Sequence, residues 1–211
     1  MDFGWTEEQR LWRRAVRDFA QNEIAPRVRE IDEEEHIPLE IIKGMAEVGL
    51  LAPTVGEEYG GVGADWTMAT IAAEELGRAD ISLAVPVLYL VEAAWGFIFY
   101  QYGSETLKEA YLPKVTRGEA FLGIATTEPG GGSDILGGCG TKAEKDGDEW
   151  VVNGEKVYIS GVRESLDWGG IHLLLARTDR DEAAGHNAFT FFALPLKGTE
   201  GITPTYFDDM G

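Results

Sequence analysis

Two short strings carry the groups most suited to binding a ligand: Thr127 to Asp134, TEPGGGSD, and Asn153 to Ser160, NGEKVYIS. The first offers several glycine amides and two hydroxyls in what the composition predicts to be a tight loop. The second offers an aromatic ring and a hydroxyl close together. Loop amides bind phosphate oxygens. The pair suits a flat ring with polar edges that carries a diphosphate, although the glycine string alone is also typical of a structural turn.

The second string contains Asn153-Gly154, a dipeptide that favours a two-residue hairpin turn. We predict that WVV before it and KVYIS after it form two strands. Side chains alternate across a strand, so Tyr158 and Ser160 are expected on one face. Val157 and Ile159 are expected on the other. The aromatic and hydroxyl pair suits a ligand wall, and a half-exposed strand with ordinary polar side chains is the alternative.

Charge and histidine spacing exclude several classes of function. With 37 acidic and 18 basic residues the formal net charge is −19, which disfavours nucleic acid because binding to its backbone relies on Lys and Arg. A phosphate-bearing ligand must then be held locally, by amides or a few cations. His36, His172 and His186 have no paired spacing, so we predict no metal site. The single Cys139 is interpreted as a small residue in a glycine-rich turn.

Length and composition indicate a globular chain. Its 211 residues, 44% hydrophobic and 26% charged, can bury a core and fill one or two domains. The apolar run from Ile81 to Tyr102 is long enough to span a bilayer, but Glu92 lies near its middle and Pro86 interrupts its start. We therefore predict a helix packed in protein and no membrane span. No secretory leader is recognised, which favours the cytoplasm, or the mitochondrial matrix in a eukaryote.

The first half of the chain is helical by its sequence pattern. Caps at Thr6, Asp65 and Ser104, together with apolar residues at helical spacing, predict five helices joined by short loops. Pro26 is expected to end or bend the first of them. These helices are typical of a bundle.

The second half is predicted to be a sheet. Its short β-rich runs are bounded by Gly, Asp or Asn, which favours an antiparallel sheet or barrel. The predicted domains are a helical domain at 1–118 and a β domain at 119–211. The β-rich runs are FLGIATT, EWVVNG, EKVYIS, IHLLLART, AFTFFALPL and ITPTYF.

Four motifs, in order, resemble those of the acyl-CoA dehydrogenases and together span most of the chain. The resemblance implies an α+β multidomain fold with an N-terminal α-helical bundle and an antiparallel β-barrel-like middle domain. It also implies a C-terminal helical domain, absent from this chain, and FAD as the cofactor. The motifs are GLLAPTVGEEYGG, AEELGRAD, TTEPGGGSD and TKAEKDGDEWVVNGEKVYIS.

The resemblance also assigns roles to residues of the two strings. Positions that line FAD fall on Thr126, Thr127, Gly132 and Ser133. Positions that pack along the isoalloxazine ring fall on Tyr158, Ile159 and Ser160. Ser133 is also expected near the pantetheine arm of the thioester. The family usually has Trp where Tyr158 stands and Thr where Ser160 stands, so an aromatic surface and a hydroxyl are kept. Gly161 stands where the family usually has Asn.

In the family the apolar helix helps to line the acyl pocket, and bulky aromatic side chains nearby imply a short or compact acyl group. Glu92, an acid in an apolar helix, could contact a polar acyl substituent; a structural pair or an exposed helix face is the alternative. Candidates for the pocket wall are Pro86, Val87, Leu90, Ala94 and Trp95.

The implied activity is α,β-dehydrogenation of an acyl-CoA to the enoyl-CoA, with electrons passed to an electron-transfer flavoprotein. The family's catalytic base lies in the C-terminal domain, so no residue is assigned to it and the chain is interpreted as a fragment. Family members commonly form homotetramers. The alternatives are a related flavin oxidase or monooxygenase, and a non-catalytic flavin- or CoA-binding subunit.

Overall fold

The computed structural model describes residues 4–179 and 181–206. The chain divides into two compact units: the first comprises the chain up to Ala120 together with the segment that begins at Pro204, and the second is Phe121–Thr203. Helices dominate the first unit and a sheet dominates the second. Phe207, the last residue of the predicted strand ITPTYF, lies outside the described residues.

Six α-helices form the described part of the first unit, one more than predicted. The first predicted helix is divided near Pro26, which lacks an amide hydrogen. The chain passes through a π turn, Ala20–Ile24, and a 3₁₀ turn, Ala25–Arg27, before it resumes as a short helix. The helices are α1 Glu7–Phe19, α2 Val28–Glu34, α3 Leu39–Val48, α4 Trp66–Ala79, α5 Ala84–Tyr102 and α6 Glu105–Thr116, with a 3₁₀ turn at Glu57–Tyr59.

Three helices begin where the sequence predicts caps. The Thr6 hydroxyl accepts a hydrogen bond from the Gln9 amide at 3.1 Å, and the Gln9 side chain accepts one from the Thr6 amide. Asp65 accepts from the Met68 amide at 2.7 Å. Ser104 caps α6 in the same way. These bonds satisfy amides of the first helical turn, which confirms the three predicted caps.

A buried charge cluster joins α1 to α4. Glu75 is 3% exposed and accepts a hydrogen bond from Arg17 at 2.8 Å and another from Arg13. The bond from Arg17 holds the pKa of Glu75 below its ordinary value. Trp12 Nε1 donates to the Met68 carbonyl at 2.9 Å. The two helices are therefore joined by a satisfied ion cluster as well as by apolar packing.

α5 packs one face within the first unit. Tyr89 and Glu92 are buried, whereas Val87 and Leu90 are exposed. The Tyr89 hydroxyl donates to the carbonyl of Ala69 on α4 at 2.8 Å. By length and composition alone α5 passes the test for a membrane-spanning helix, as core helices of globular proteins also do. Its packed face agrees with the predicted helix packed in protein.

The second unit is built on a five-stranded sheet. Its strands are β1 Phe121–Ala125, β2 Lys142–Asp146, β3 Glu149–Asn153, β4 Gly170–Arg177 and β5 Phe189–Pro195. β4 pairs in parallel with β1, antiparallel with β5 and, at its last residue, in parallel with β2. β2 and β3 form an antiparallel hairpin. Because β4 has neighbours on both sides, it is buried along nearly its whole length.

The sheet differs from the predicted antiparallel barrel. β1 and β4 run parallel, with Phe121 opposite Gly170, so the sheet is mixed. The described strands follow the order β1-β4-β2-β3, with β5 also on β4, and do not close into a barrel. Strand direction depends on which distant strands pair, whereas turn signals report only on neighbours in sequence. The α+β character is therefore confirmed, and the wholly antiparallel arrangement is wrong.

The β2–β3 hairpin turns at Gly147-Asp148, so the turn predicted at Asn153-Gly154 is wrong. Five consecutive residue pairs join the strands, and Asn153 belongs to the pair farthest from the turn. Gly147 has φ +61°, the left-handed value that short hairpin loops favour. A Cβ on Gly154 would lie 2.6 Å from the Cα of Thr141. Glycine at 154 therefore permits the close approach of two chain segments.

The predicted strand EKVYIS is also absent. The prediction that strand alternation places Tyr158 and Ser160 on one face is therefore wrong. No strand is assigned to residues 154–160. Tyr158 has φ +60°, outside the range of extended strands, so Tyr158 and Ser160 do not alternate along one. Gly161 then caps α7, Val162–Asp167, a helix that the pattern does not predict.

Other differences lie where local patterns are weak. β2, KAEKD, is missed because four of its five residues are charged and only Ala143 is buried, so β propensity gives no signal. Described residues 202–206 form no strand, although ITPTYF has a β-rich composition. A 3₁₀ segment, Glu182–Ala188, is interrupted at Gly185.

Candidate functional site

Two loops of the second unit carry the site residues predicted there. The glycine loop, residues 129–138, follows β1 after Thr126 and Thr127. The tyrosine segment, residues 154–161, connects β3 to α7. The predicted residues inside these loops are Gly132, Ser133, Tyr158, Ile159 and Ser160.

The glycine loop is held mostly by contacts within itself. The Gly131 amide donates to the Glu128 carbonyl at 3.1 Å. Asp134 accepts two bonds of 2.9 Å, from the Gly137 amide at Oδ1 and from the Gly138 amide at its carbonyl. A Cβ on Gly138 would lie 2.5 Å from the Cα of Gly131. The loop therefore crosses itself at a point where only glycine fits.

A buried ion pair joins the tyrosine segment to the start of the glycine loop. Lys156 Nζ lies 2.7 Å from Glu128 Oε1, and both side chains are 9% exposed. The ammonium group also donates to the Thr126 carbonyl at 3.2 Å. Glu128 accepts further bonds from the amides of Gly140, at 2.6 Å, and Thr141, at 3.0 Å. The buried carboxylate is thus both paired and hydrogen-bonded, as a buried charge must be.

The ion pair keeps Glu128 ionised. Burial alone would raise the pKa of this carboxyl, but hydrogen bonds from Lys156, Thr141 and Gly140 outweigh burial and lower it to about 2. Cys139 Sγ lies 3.9 Å from the Lys156 ammonium, and burial raises the pKa of its thiol. A buried thiol with a raised pKa is a poor nucleophile. This agrees with the interpretation of Cys139 as a structural residue.

A backbone hydrogen bond sets the tyrosine segment beside the end of β1. The Val157 amide donates to the Thr127 carbonyl at 2.9 Å. Tyr158 follows with its backbone in the left-handed region, which is uncommon for a residue other than glycine, and its side chain is 78% exposed. Thr126 and Thr127 are half-buried. The structure thus brings both threonines next to Tyr158, through this bond and Lys156.

The remaining predicted residues of the second unit present polar groups to solvent. Gly132, Ser133 and Ser160 are exposed, and Ile159 is half-buried. Within the described part of the chain, the amides of Gly132 and Ser133 and the hydroxyls of Ser133 and Ser160 donate to no protein acceptor. A Cβ on Gly132 would meet no atom within 4 Å. Available donors and an exposed aromatic ring fit a ligand with a diphosphate and a flat ring.

Comparison with known proteins settles the family. The family described as acyl-CoA dehydrogenase, N-terminal domain, matches residues 6–119. The one described as acyl-CoA dehydrogenase, middle domain, matches residues 123–211. The chain belongs to the acyl-CoA dehydrogenase family. The family predicted from the motifs is therefore confirmed.

Relatives of this chain include proteins of stated activity. The glutaryl-CoA dehydrogenase of Desulfococcus multivorans is 33% identical over 214 residues, 100% of this chain and 53% of that protein. A glutaryl-coenzyme A dehydrogenase in complex with glutaryl-CoA matches with a TM-score of 0.87 at 33% identity, over 100% of this chain and 52% of that one. A Mycobacterium smegmatis glutaryl-CoA dehydrogenase in complex with FADH2 matches with a TM-score of 0.82 at 27% identity, over 94% of this chain and 48% of that one. The chain spans about half the length of these relatives.

The predicted acyl-pocket residues lie on α5. Val87 and Leu90 are 45% and 53% exposed, Ala94 and Trp95 are half-buried, and Pro86 is buried. Their spacing puts Val87, Leu90 and Ala94 on one side of the helix. An apolar side chain surface is therefore available there. Glu92 is fully buried, so the alternative that placed it on an exposed helix face is wrong.

A cationic groove in the second unit is not predicted from the sequence. Lys142, Arg177 and His186 line it together with Leu136 of the glycine loop, and its volume is about 620 Å³. The Arg177 guanidinium lies 4.4 Å from the centre of the Phe189 ring. Among the described residues no carboxylate forms an ion pair with Lys142, Arg177 or His186. The groove is a local concentration of positive charge in an acidic chain.

Sequence reasoning also misses Glu128 and Lys156 as a pair. Both lie inside the two strings that suggested a ligand site, yet 28 positions separate them and no spacing rule links them. An acid and a base within glycine-rich or apolar strings are the only signal that could have indicated a buried pair. That signal becomes specific only when the fold brings the strings together.

Proposed function

We propose that the full-length protein oxidises an acyl-CoA thioester to its enoyl-CoA by α,β-dehydrogenation, with FAD as the hydride acceptor. The observation that supports this function most directly is the contact between the two loops of the middle domain. Lys156 makes it with Glu128, and Val157 makes it with Thr127. This contact sets an exposed aromatic ring beside the polar groups that follow β1. Bound FAD supplies a ring that accepts a hydride.

The middle domain supplies the groups that hold FAD in this proposal. The hydroxyls of Thr126 and Thr127 and the amides of Gly132 and Ser133 donate to the cofactor. Uncharged donors suit an anionic diphosphate in a chain whose formal charge is −19, because they need no cation close by. Along the isoalloxazine ring we assign Tyr158, Ile159 and Ser160.

Substrate binding draws on three further groups of residues. Ser133 contacts the pantetheine arm, and the cations of the groove, Lys142 and Arg177, fit the phosphates of CoA together with the neighbouring His186. The acyl group is short or compact, because the candidate wall contains a bulky indole. That wall comprises Val87, Leu90, Ala94 and Trp95 of α5.

The proposal extends to partners that this chain alone does not reveal. The catalytic base, which removes the α-proton while the β-hydride leaves, belongs to the part of the protein beyond these two domains. An electron-transfer flavoprotein receives the electrons. The full-length protein forms homotetramers and acts in the cytoplasm, or in the mitochondrial matrix of a eukaryote. The resemblance to the family supports the proposed base, acceptor and tetramer, and the proposed localisation rests on the sequence.

The experiment uses full-length protein purified under air and then made anaerobic. Short, branched, aromatic and dicarboxylic acyl-CoAs are added in turn while the flavin absorbance near its long-wavelength maximum is followed. We expect stoichiometric FAD and rapid bleaching by at least one short or compact acyl-CoA. The matching free acid, which lacks CoA, serves as the control and leaves the absorbance unchanged.

Two outcomes separate the alternatives. Reduced enzyme that oxygen reoxidises rapidly, with formation of peroxide or a hydroxylated product, identifies an oxidase or monooxygenase. Protein that binds FAD but is bleached by no acyl-CoA identifies a non-catalytic subunit. If the full-length protein binds no FAD, the proposed function is contradicted.

A further inference from the structure

His172 lies in the middle of the sheet and has no place in the proposed chemistry. It is 2% exposed and lies on β4 opposite Gly123 of β1. A Cβ on Gly123 would lie 2.5 Å from atoms of the imidazole. The ring therefore occupies the space that a side chain at 123 would fill, and its position is fixed from that side.

Polar groups of α7 and of the residue before it also hold the ring. His172 Nε2 lies 3.1 Å from the hydroxyl oxygen of Ser165, a fully buried residue of α7. The backbone of Gly161 is a second polar neighbour of the ring. Burial lowers the pKa of His172 to about 4, although the Gly161 contact opposes the shift, so the imidazole is neutral near pH 7. A neutral imidazole has one donor and one acceptor, and the Ser165 hydroxyl is the partner of Nε2.

These contacts meet the tyrosine segment at its end. Gly161 directly follows Ser160, and its carbonyl accepts a hydrogen bond from the Ser165 amide at 3.0 Å. At the other end of the segment the Val157 amide is bonded to Thr127. Only the three residues 158–160 lie between these two fixed points. Tyr158 keeps its left-handed backbone in that short span, where neighbours must hold it.

We propose that His172 is a positioning residue which, through Ser165 and Gly161, sets the place of Tyr158 and Ser160 against FAD. The proposal rests on the proposed function for its flavin contacts. The simpler alternative is a histidine that only fills the core. The two differ in what they affect: core filling contributes to global stability, whereas positioning also controls the backbone of 158–160 and the environment of the flavin.

The test uses full-length protein carrying His172→Phe, which keeps a planar ring and removes both polar contacts. Ser165→Ala removes one contact with a smaller change. His172→Gln restores a polar atom near the position of Nε2. His36→Phe removes an exposed histidine of the first unit and serves as the matched control. Two quantities are measured: amide hydrogen exchange of residues 158–161 in apoprotein, and the FAD dissociation constant with the visible circular dichroism of bound flavin.

We expect His172→Phe and Ser165→Ala to speed exchange at 158–161 and to raise the FAD dissociation constant, each by about tenfold, as for one lost buried hydrogen bond. The flavin dichroism changes with them. The exchange rates and the FAD dissociation constant of His172→Gln lie between those of these variants and those of wild type. His36→Phe has the wild-type values. If His172→Phe does not fold, Ser165→Ala with its exchange rates decides the question.

Folded variants with wild-type exchange at 158–161, or with wild-type FAD affinity and dichroism, overturn the positioning role. A wild-type protein that binds no FAD overturns the flavin contacts, and the exchange data then show whether His172 still fixes the segment. The failure of the proposed function is thereby distinguished from the failure of the positioning role.

Discussion

The glycine loop and the tyrosine segment both carry residues that are predicted to contact FAD, yet the two segments are held in different ways. In the glycine loop, Asp134 bonds amides three and four positions away. In the tyrosine segment, Lys156 bonds groups 28 and 30 positions away. A loop of the first kind can be recognised from its own sequence. A segment of the second kind takes its shape from partners that sequence spacing does not reveal.

The largest effect is expected where the long-range contacts are broken. Lys156→Met keeps most of the side-chain volume but leaves the buried Glu128 carboxylate without its cation. We expect a loss of about 3–5 kcal/mol in the free energy of unfolding of the second unit, measured by urea denaturation. Lys145→Met, at an exposed position of β2, serves as the control and stays within about 0.5 kcal/mol of wild type. A loss below about 1 kcal/mol for Lys156→Met would show that the segment is held otherwise.

The same ion pair predicts a pH dependence. The pKa of Glu128 in the folded protein, about 2, lies below its ordinary value of 4.5. The stabilisation that the ionised Glu128 adds to the free energy of unfolding is therefore fully present above about pH 4.5. It is lost as the pH falls towards 2, by roughly 3 kcal/mol at the limit. Unfolding free energies measured between pH 7 and pH 2.5 test this. The difference in unfolding free energy between wild type and Lys156→Met should become smaller as the pH falls from 7 to 2.5. A difference that stays constant would contradict the lowered pKa of Glu128.

A smaller effect is expected from the crossing inside the glycine loop. Gly138→Ala brings a Cβ to 2.5 Å from the Cα of Gly131, and backbone cannot move aside as a flexible side chain can. We expect destabilisation of about 1–3 kcal/mol, read from thermal unfolding. Gly130→Ala is the matched control, because a Cβ there meets no atom within 4 Å. Equal stability of the two variants would mean that the loop opens without cost.

The smallest effect is expected at Asp134. Asp134→Ala removes the bond from the Gly137 amide and should cost about 1 kcal/mol, whereas Asp134→Asn keeps the acceptor and should remain near wild type. Both are compared by thermal unfolding. If the alanine variant were as damaging as Lys156→Met, the contrast between local and long-range support would fail.

Sequence patterns predict the parts of the fold that are determined locally. The caps at Thr6, Asp65 and Ser104 follow from side chains that bond amides three positions away. The turn at Asn153-Gly154 fails because a dipeptide preference is weaker than the pairing of β2 with β3. The true hairpin glycine, Gly147, was equally visible in the sequence.

For the candidate site, the sequence predicts which residues gather but gives the wrong reason. Thr127 and Tyr158 are brought together by a bond between Val157 and a threonine carbonyl, and strand alternation has no part in it. His172 has no visible signal, because its partners Ser165 and Gly161 belong to a helix that the pattern does not predict. The residues of the candidate site could be predicted from their types. The contacts that position them could not, because their partners are distant in the sequence.

The central claim is that the end of β1 and the tyrosine segment form one surface for FAD. The most direct measurement is a titration of full-length apoprotein with FAD, comparing wild type with Ser160→Ala and recording the dissociation constant, the visible spectrum and the reduction potential of the bound flavin. We predict that Ser160→Ala binds FAD several-fold more weakly or shifts its potential, since a hydrogen bond to the ring is lost. Unchanged flavin content, spectrum and potential would contradict the claim.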